Sequence, residues 1–268
     1  MKNNPGKIRF GIILTILTMI FFVSGCGKNS LEYKIHKTPF EVKDKLGTKR
    51  EYKIFMPGSK QNIPLLIYFH GVMSEKFEDK PVLKGYTGSP VEETGLIPFC
   101  RINKIALLVI KPAYSYKFLD VESYGWSPFE KEINGIEKVI NIILEKFNID
   151  RGRVYLAGIS AGAVLSNHLA NRRPEFYSAI FSHSQGYISE DNKLLEPAVD
   201  GAKFGVVIGY TKGDYKNLIE ICNKSYEIYK KNGYKVVLLK GLPPRSHKWS
   251  KSSNGRFWKY LNKTGKER

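Results

Sequence analysis

The sequence predicts an α/β fold in which a mostly parallel central sheet is covered by helices on both faces. Short apolar runs rich in β-branched residues alternate along the chain with segments whose apolar residues recur at helical spacing. The runs are nearly continuously apolar, which is typical of strands that are buried on both sides. With 268 residues, of which 42% are hydrophobic, the chain is long enough to bury such a core.

The predicted elements follow one another along the chain. Apolar runs bounded by turn-forming or charged residues predict strands at 51–57, 63–71, 105–112, 153–160, 177–186, 204–214 and 234–241. Helices are predicted for the stretch with Ile133, Ile136, Val139, Ile140, Ile143 and Leu144 on one face, for 161–173 before Pro174, for 218–231 and for 254–263. In such a sheet the functional side chains gather beyond the carboxyl ends of the strands.

The N-terminal stretch is predicted to be a targeting signal rather than part of this core. Lys2, Lys7 and Arg9 precede a long uncharged apolar run, and the small residues of Val23–Cys26 follow it. The four residues Val23–Cys26 resemble a bacterial lipobox. This resemblance implies cleavage before Cys26 and attachment of a lipid such as palmitate to the Cys26 thiol. A retained membrane anchor and a signal cut elsewhere are the alternatives.

This interpretation divides the chain into three parts. We expect a lipoprotein signal peptide at 1–25, a polar tether at 26–48 and the folded domain at 49–268. Acyl chains on the tether would hold an extracytoplasmic protein at the bacterial cell membrane.

The chain is strongly basic, with a formal net charge of +18. Removing the three basic residues of the signal from +18 leaves +15, which favours attraction to anionic lipid or polymer surfaces. The lysines are scattered and no nucleic-acid-binding motif is present. We therefore interpret the charge as a solvated basic surface and expect no nucleic-acid partner.

Two further cysteines, Cys100 and Cys222, follow in the predicted domain. Outside the cytoplasm they either pair in a disulfide or act as small apolar residues on separate elements. Neither belongs to a local cluster of histidines, so no metal site is expected.

The motif Gly158-Ile159-Ser160-Ala161-Gly162 lies where a predicted strand meets a predicted helix. Glycines are uncommon inside strands unless the backbone must turn or approach another element closely. Side chains at Gly158 and Gly162 would collide with the adjoining strand and helix, whereas the turn pushes the Ser160 hydroxyl out at the top of the sheet. The motif therefore predicts a nucleophilic serine at Ser160.

A serine hydroxyl needs a general base to become an effective nucleophile. The candidates are the five histidines of the chain, His36, His70, His168, His183 and His247. His247 follows the last predicted strand, and the chain order of serine, acid and histidine favours it. His183, at the end of the strand after Ser160, is the main alternative.

The acid that orients this base is expected just after the second-last strand. Asp214 fits this position. Asp200 comes ahead of that strand, and Glu220 lies further into the following helix. An ordinary surface carboxylate is the alternative interpretation of Asp214.

Hydrogen-bond donors for a developing oxyanion are predicted on two segments. One is the amide of Ala161, directly after the nucleophile, and the other is the amide of Val72, in the loop after the strand that ends in Tyr-Phe-His-Gly. His70, Trp126 and His183 are predicted to line the substrate-binding cleft, with a loop-shaping role for His70 and a core position for Trp126 as alternatives.

These residues carry a resemblance to a known family. The stretch NIDRGRVYLAGISAGAVLSNHLANRRPEFYSAIFSHSQG resembles α/β-hydrolase esterases grouped with polyhydroxybutyrate depolymerases, feruloyl esterases and acetyl-xylan esterases. "YFHG" is similar to the oxyanion strand of that family and "SHKW" to its histidine loop. The resemblance implies an α/β-hydrolase fold, no cofactor, and Ser160, Asp214 and His247 as the catalytic triad.

The sequence therefore predicts a serine esterase that cleaves carboxylic esters through an acyl-enzyme, with a small-molecule or polymer-linked ester as substrate. A serine peptidase of the prolyl-oligopeptidase type is one alternative. A non-catalytic surface-binding lipoprotein on the same scaffold is the other.

Overall fold

The computed structural model has an eight-stranded central sheet flanked by helices. It describes residues 34–37, 42–43, 49–58, 62–74, 89, 91–113, 115–118, 121–126 and 129–264. Its strands are β1 (Lys34–Lys37), β2 (Val42–Lys43), β3 (Lys49–Arg50), β4 (Tyr52–Met56), β5 (Ile63–Phe69), β6 (Met73–Ser74), β7 (Ala106–Ile110), β8 (Ser115–Phe118), β9 (Val121–Tyr124), β10 (Ile149–Ile159), β11 (Ala179–His183), β12 (Gly205–Thr211) and β13 (Val236–Leu242). Its helices are α1 (Leu96–Ile102), α2 (Phe129–Lys146), α3 (Ala161–Arg172), α4 (Lys216–Lys231) and α5 (Asn254–Thr264).

The central sheet has the strand order β1-β4-β7-β5-β10-β11-β12-β13. β4 pairs antiparallel with both of its neighbours, and each pair from β7 through to β13 is parallel. The predicted fold class, a mostly parallel sheet in an α/β protein, is confirmed. Each predicted strand and helix is present, with small shifts at the ends.

Both faces of the sheet are buried, which explains the continuous apolar runs of the sequence. In β5, Leu65 and Ile67 belong to the core under α2, α3 and α4, whereas Leu66 and Tyr68 belong to the core under α1 and α5. Successive side chains of a strand point to opposite faces, so a strand between two layers of helices is apolar at nearly every position.

The structure adds elements that the sequence patterns did not predict. These are α1 and two small sheets, β2–β3 and β6–β9–β8. α1 has seven residues, too few to show a helical period, and its N-cap residue is Gly95, which has no side chain to signal the start of the helix. The two- to four-residue strands are too short to form a recognisable alternating pattern.

Part of the predicted tether forms a strand. β1 pairs antiparallel with β4, with Lys34 opposite Met56 and Lys37 opposite Lys53, and extends the edge of the central sheet. The predicted signal peptide and Cys26 lie outside the described residues. Among the described residues, no helix combines the length and the apolar character needed to span a membrane.

The two cysteines of the domain are free and buried on opposite faces of the sheet. Cys100 packs in the core with α1, and Cys222 packs in the core with α4. Burial raises the pKa of both thiols well above its ordinary value. The structure therefore agrees with the second predicted alternative, in which the two cysteines act as small apolar residues on separate elements.

Candidate active site

Ser160 lies at a sharp turn between β10 and α3. Its backbone has φ 54° and ψ −121°, a conformation that costs a residue with a side chain about 1–3 kcal/mol. The Ser160 amide donates to the carbonyl oxygen of His183 at 2.9 Å, which fixes the turn to the end of the neighbouring strand β11. Strain held in place in this way is a common property of functional sites.

The two glycines of the motif are required by close backbone contacts. A Cβ atom at Gly158 would overlap the carbonyl group of Gly162, in the first turn of α3. A Cβ atom at Gly162 would overlap the carbonyl oxygens of Phe69 and His70, at the end of β5. The predicted collision with the adjoining helix and strand is confirmed.

Asp214 and His247 lie in hydrogen-bond contact beyond the carboxyl ends of β12 and β13. His247 Nδ1 donates to Asp214 Oδ1 at 2.7 Å. The Asp214 side chain is fully buried, whereas that of His247 is 25% exposed. The bond to the carboxylate places the proton of a neutral imidazole on Nδ1 and leaves Nε2 as the basic nitrogen.

The carboxylate of Asp214 is held by two more donors. The Thr211 amide and the Ser184 hydroxyl donate to Oδ2 at 2.6 and 2.7 Å. Burial raises the pKa of Asp214, but the hydrogen bonds from His247, Ser184 and Thr211 outweigh it, so the pKa lies below its ordinary value of 3.8. Asp214 is therefore a buried carboxylate that remains ionised.

His70 and Trp126 form a buried support at the end of β5. Each of the two residues is only 1% exposed, and the Trp126 indole donates to the His70 carbonyl oxygen at 2.8 Å. Burial lowers the pKa of His70 to about 4, against an opposing effect of its hydrogen bond to Gly71. The predicted contact of these two side chains with substrate stays a prediction, and their burial favours the loop-shaping and core alternatives.

His183 is also buried, with no exposed surface. Its ring stacks on Trp249 at 5.4 Å between centroids, and its Nδ1 lies 2.7 Å from the Ser184 hydroxyl. The predicted contact of His183 with substrate stays a prediction, which this burial does not favour. The ring also hydrogen-bonds away from Ser160, toward the acid.

The end of β5 and the start of α3 meet at one corner of the site. The contact of Gly162 with the carbonyls of Phe69 and His70 brings together the segments that carry the two predicted donors, Ala161 and Val72. Ala161 is the first residue of α3, and the first amides of a helix have no acceptor within that helix. The positive end of the helix dipole adds to the attraction for an anion at this position.

Sequence reasoning did not identify Ser184 and Tyr215. Ser184 has φ 57° and follows directly after β11, where nothing in the local sequence distinguishes it from a turn residue. Tyr215 is 65% exposed and its ring centroid lies 5.6 Å from that of His247. Its position directly after Asp214 is the signal that could have identified it.

Of the remaining histidine candidates, His168 lies outside this site. The His168 ring nitrogen Nε2 donates to the Ile188 carbonyl oxygen at 2.7 Å, which ties α3 to the loop after β11. The backbone of His36 lies in β1 at the sheet edge. Among the described residues, no cluster of three histidine, cysteine or acidic side chains is arranged to hold a metal ion.

The comparisons with known proteins find a partial match to an esterase family model and several solved structures with the same fold. Residues 126–209 match the family model described as Esterase PHB depolymerase. A search of curated proteins finds no match for the sequence. A solved thermostable esterase has a TM-score of 0.61 and 18% identity to this chain, and the alignment covers 87% of this chain and 63% of that one.

Two other structures share the fold at lower identity. A protein assigned as a dipeptidyl aminopeptidase IV from Bacteroides ovatus has a TM-score of 0.64 at 14% identity, over 87% of this chain and 36% of its own. A ferulic acid esterase has a TM-score of 0.59 at 14% identity, over 87% of this chain and 98% of its own. The chain thus spans less than two thirds of the first two structures. The family match covers residues 126–209, and the solved structures show that the chain shares the α/β-hydrolase fold with these enzymes.

Proposed function

We propose that the protein hydrolyses carboxylic esters through an acyl-enzyme formed on Ser160. The observation that carries this proposal is the 2.7 Å hydrogen bond between His247 Nδ1 and the buried carboxylate of Asp214. It leaves a basic Nε2 on a half-buried imidazole, at the same edge of the sheet as the strained turn that presents Ser160.

In the proposed mechanism, His247 Nε2 takes the proton of the Ser160 hydroxyl as its oxygen attacks the ester carbonyl carbon. The tetrahedral intermediate collapses to an acyl-enzyme, and the departing alcohol oxygen receives the proton from His247. Water then gives a proton to His247 and attacks the acyl carbonyl, and the carboxylic acid leaves with Ser160 restored. Asp214 stabilises the imidazolium in both steps.

We assign oxyanion binding to the amides of Ala161 and Val72. The position of Ala161 at the start of α3, and the contact of that helix with the end of β5, support this assignment. Loss of one such donor typically raises the barrier by about 2.7–4 kcal/mol. Tyr215, the exposed aromatic beside His247, replaces Trp126 as the proposed substrate contact.

Covalent labelling tests the nucleophile directly. A fluorophosphonate probe should label the wild type at one site and should not label Ser160→Ala. Ser166→Ala is the matched control, because Ser166 lies in the same helix with its hydroxyl bonded to the Gly162 carbonyl oxygen. Equal labelling of the wild type and Ser160→Ala would overturn the proposal.

A substrate comparison tests the reaction class. We expect turnover of p-nitrophenyl acetate and no turnover of peptide p-nitroanilides. The reverse preference would identify a peptidase, and inactivity on both by a folded, unlabelled protein would favour a binding function.

We also propose that Cys26 carries the lipid that holds the protein at a membrane. The basic start, the apolar run and the small residues before Cys26 support it. Metabolic labelling with a palmitate analogue should mark the full-length chain in a bacterial host and should fail for Cys26→Ser. Labelling of Cys26→Ser, or a soluble unlabelled wild type, would contradict the proposal.

A further inference from the structure

A chain of hydrogen bonds continues from the acid into the core, away from the base. Ser184 Oγ lies 2.7 Å from Asp214 Oδ2 and 2.7 Å from His183 Nδ1. We propose that His183 and Ser184 form a positioning relay that fixes the Asp214 carboxylate and, through it, the orientation of His247. This inference rests on the proposed esterase function and extends it to two residues that do not touch substrate.

The direction of each bond in the relay follows from the donors available. A carboxylate only accepts, so the single proton of the Ser184 hydroxyl goes to Asp214. The Ser184 oxygen must then accept the second bond, and the proton lies on His183 Nδ1. The relay runs from His183 Nδ1–H through Ser184 Oγ–H to Asp214 Oδ2, and His247 approaches the other carboxylate oxygen.

The surroundings of His183 keep this direction fixed. The ring is fully buried between Trp249 and the edge of Phe181, and its Nε2 has no hydrogen-bond partner in the described part of the chain. The titratable groups that act on it are Asp214 and His247. Burial lowers the pKa of His183 to about 4, with Asp214 opposing the shift and His247 adding to it. His183 is thus a neutral donor that orders Ser184 without adding a charge beside the acid.

Backbone hydrogen bonds also fix the same two residues, and one of these bonds reaches the nucleophile. The His183 carbonyl oxygen accepts the Ser160 amide, and the Ser184 amide donates to the Gly209 carbonyl oxygen at 2.6 Å. The Ser182 hydroxyl closes the turn by donating to the Gln185 carbonyl oxygen at 2.7 Å. A relay held at both ends in this way couples the position of the acid to that of the nucleophile.

Ring ¹⁵N NMR tests the relay without any substrate. We expect His183 in the neutral form with the proton on Nδ1 throughout pH 5–9, and a hydrogen-bonded His247 Nδ1–H signal that changes in His183→Phe. A proton on Nε2, or titration of His183 inside this range, would overturn the relay. Because it needs no turnover, this measurement decides on the relay even if the protein hydrolyses no ester.

Kinetics tests what the relay does. His183→Phe keeps the ring stack on Trp249 but removes the donor, and Ser184→Gly removes the hydroxyl while suiting the positive φ. We expect each variant to lower kcat on p-nitrophenyl acetate about 10- to 100-fold, the range for losing a hydrogen bond to a charged group, with little change in KM. A carboxylate that has lost this donor is more basic, so the acid limb of kcat/KM against pH should move to higher pH.

The double variant separates a relay from two packing defects. If the residues act as one unit, His183→Phe/Ser184→Gly should be no slower than the worse single variant. His168→Phe, which removes a different partly buried histidine, should leave kcat unchanged. Multiplied effects in the double variant, or unchanged kcat and pH profile in the single ones, would overturn the proposal. A wild type without esterase activity would instead refute the proposed function.

Discussion

The strand ends on the two sides of Ser160 hold similar histidines but connect them to different groups. On the oxyanion side, at the end of β5, His70 is buried beside Trp126, and its Nδ1 hydrogen-bonds to the Gly71 carbonyl oxygen at 2.5 Å. On the acid side, at the ends of β11, β12 and β13, His183 is buried beside Trp249, and its Nδ1 hydrogen-bonds to a hydroxyl that reaches the acid.

The difference shows two ways in which a fold can hold a site. The oxyanion side is fixed by close backbone contact, because Gly162 leaves no space for a Cβ atom against β5. The acid side is fixed by directed hydrogen bonds to a single carboxylate. We therefore expect isosteric polar changes to damage the acid side through the rate, and changes of size to damage the oxyanion side through folding.

Asp214→Asn should have the largest effect and should leave the fold intact. An amide cannot hold His247 in the Nδ1–H form or stabilise its charge, so kcat on a reactive ester should fall about 10⁴-fold, as for other triads. Asp191→Asn, at an exposed carboxylate bonded to Lys193, is the control and should retain full activity. A clear fall in the thermal unfolding midpoint of Asp214→Asn would mean that packing, rather than directed hydrogen bonds, holds the acid side.

A pair of glycine substitutions tests the oxyanion side. Gly162 and Gly255 are each the second residue of a helix, but a Cβ atom at Gly255 meets no atom within 4 Å. Gly162→Ala should lower the free energy of unfolding by about 1–3 kcal/mol or more, because backbone oxygens cannot yield. Gly255→Ala should raise it by up to about 1 kcal/mol, the gain from helix propensity. Urea unfolding measures both, and equal effects would refute steric control of this corner.

The sequence was most informative at positions where the backbone contacts permit only one residue type. The turn at Ser160 needs glycine at 158 and 162, so the motif itself predicted both the contacts and the residue they present. The nearly continuous apolar strands predicted the layered fold for a related reason, since a strand between two helical layers is apolar at most positions.

The sequence was less informative where the structure uses an ordinary residue in an unusual position. Nothing local distinguishes Ser184 from other serines, and its role depends on a carboxylate thirty positions later in the chain. His183 was predicted to contact substrate because it ends a strand, and Trp126 because an aromatic ring can stack on a substrate group. The layer of side chains that covers both residues is a tertiary property. The chain order of the loops predicted Asp214 and His247, but not the other two donors to the acid, Ser184 and Thr211.

The two buried histidines should make stability depend on pH in the same way. Burial is the main cause that holds the pKa of each at about 4, below the ordinary value of 6.5, so the unfolded chain binds protons that the folded chain excludes. The free energy of unfolding should be highest above pH 6.5 and fall as the pH drops toward 4, by about 2 kcal/mol per histidine between pH 6.5 and 5. The lowered pKa of Asp214 acts only below about 3.8 and leaves this window unchanged.

Two single variants separate the effect of each histidine on stability from its effect on the reaction rate. His70→Phe and His183→Phe should each reduce the pH dependence of the free energy of unfolding between pH 7 and 5 by a similar amount, because each removes one excluded proton. Burial also lowers the pKa of His168, and both variants keep that part of the pH dependence. Only His183→Phe should also shift the acid limb of the kinetic profile. An unchanged pH dependence of unfolding in both variants would show that neither histidine is held neutral by burial.

Trp126→Phe, on the oxyanion side, should have the smallest effect on kcat among these variants. The substitution keeps an aromatic ring against Phe69 and His70 but removes the indole donor to the His70 carbonyl oxygen. One hydrogen bond of this kind contributes about 1 kcal/mol to stability, and leaving the buried carbonyl without it should loosen the loop that carries Val72. We expect kcat to fall only a few-fold, with the acid limb of the pH profile in place, because nothing on the acid side has changed. A shift of the acid limb in Trp126→Phe would show instead that a change on the oxyanion side alters the acid side. The distinction between steric control of the oxyanion side and hydrogen-bonded control of the acid side would then be wrong.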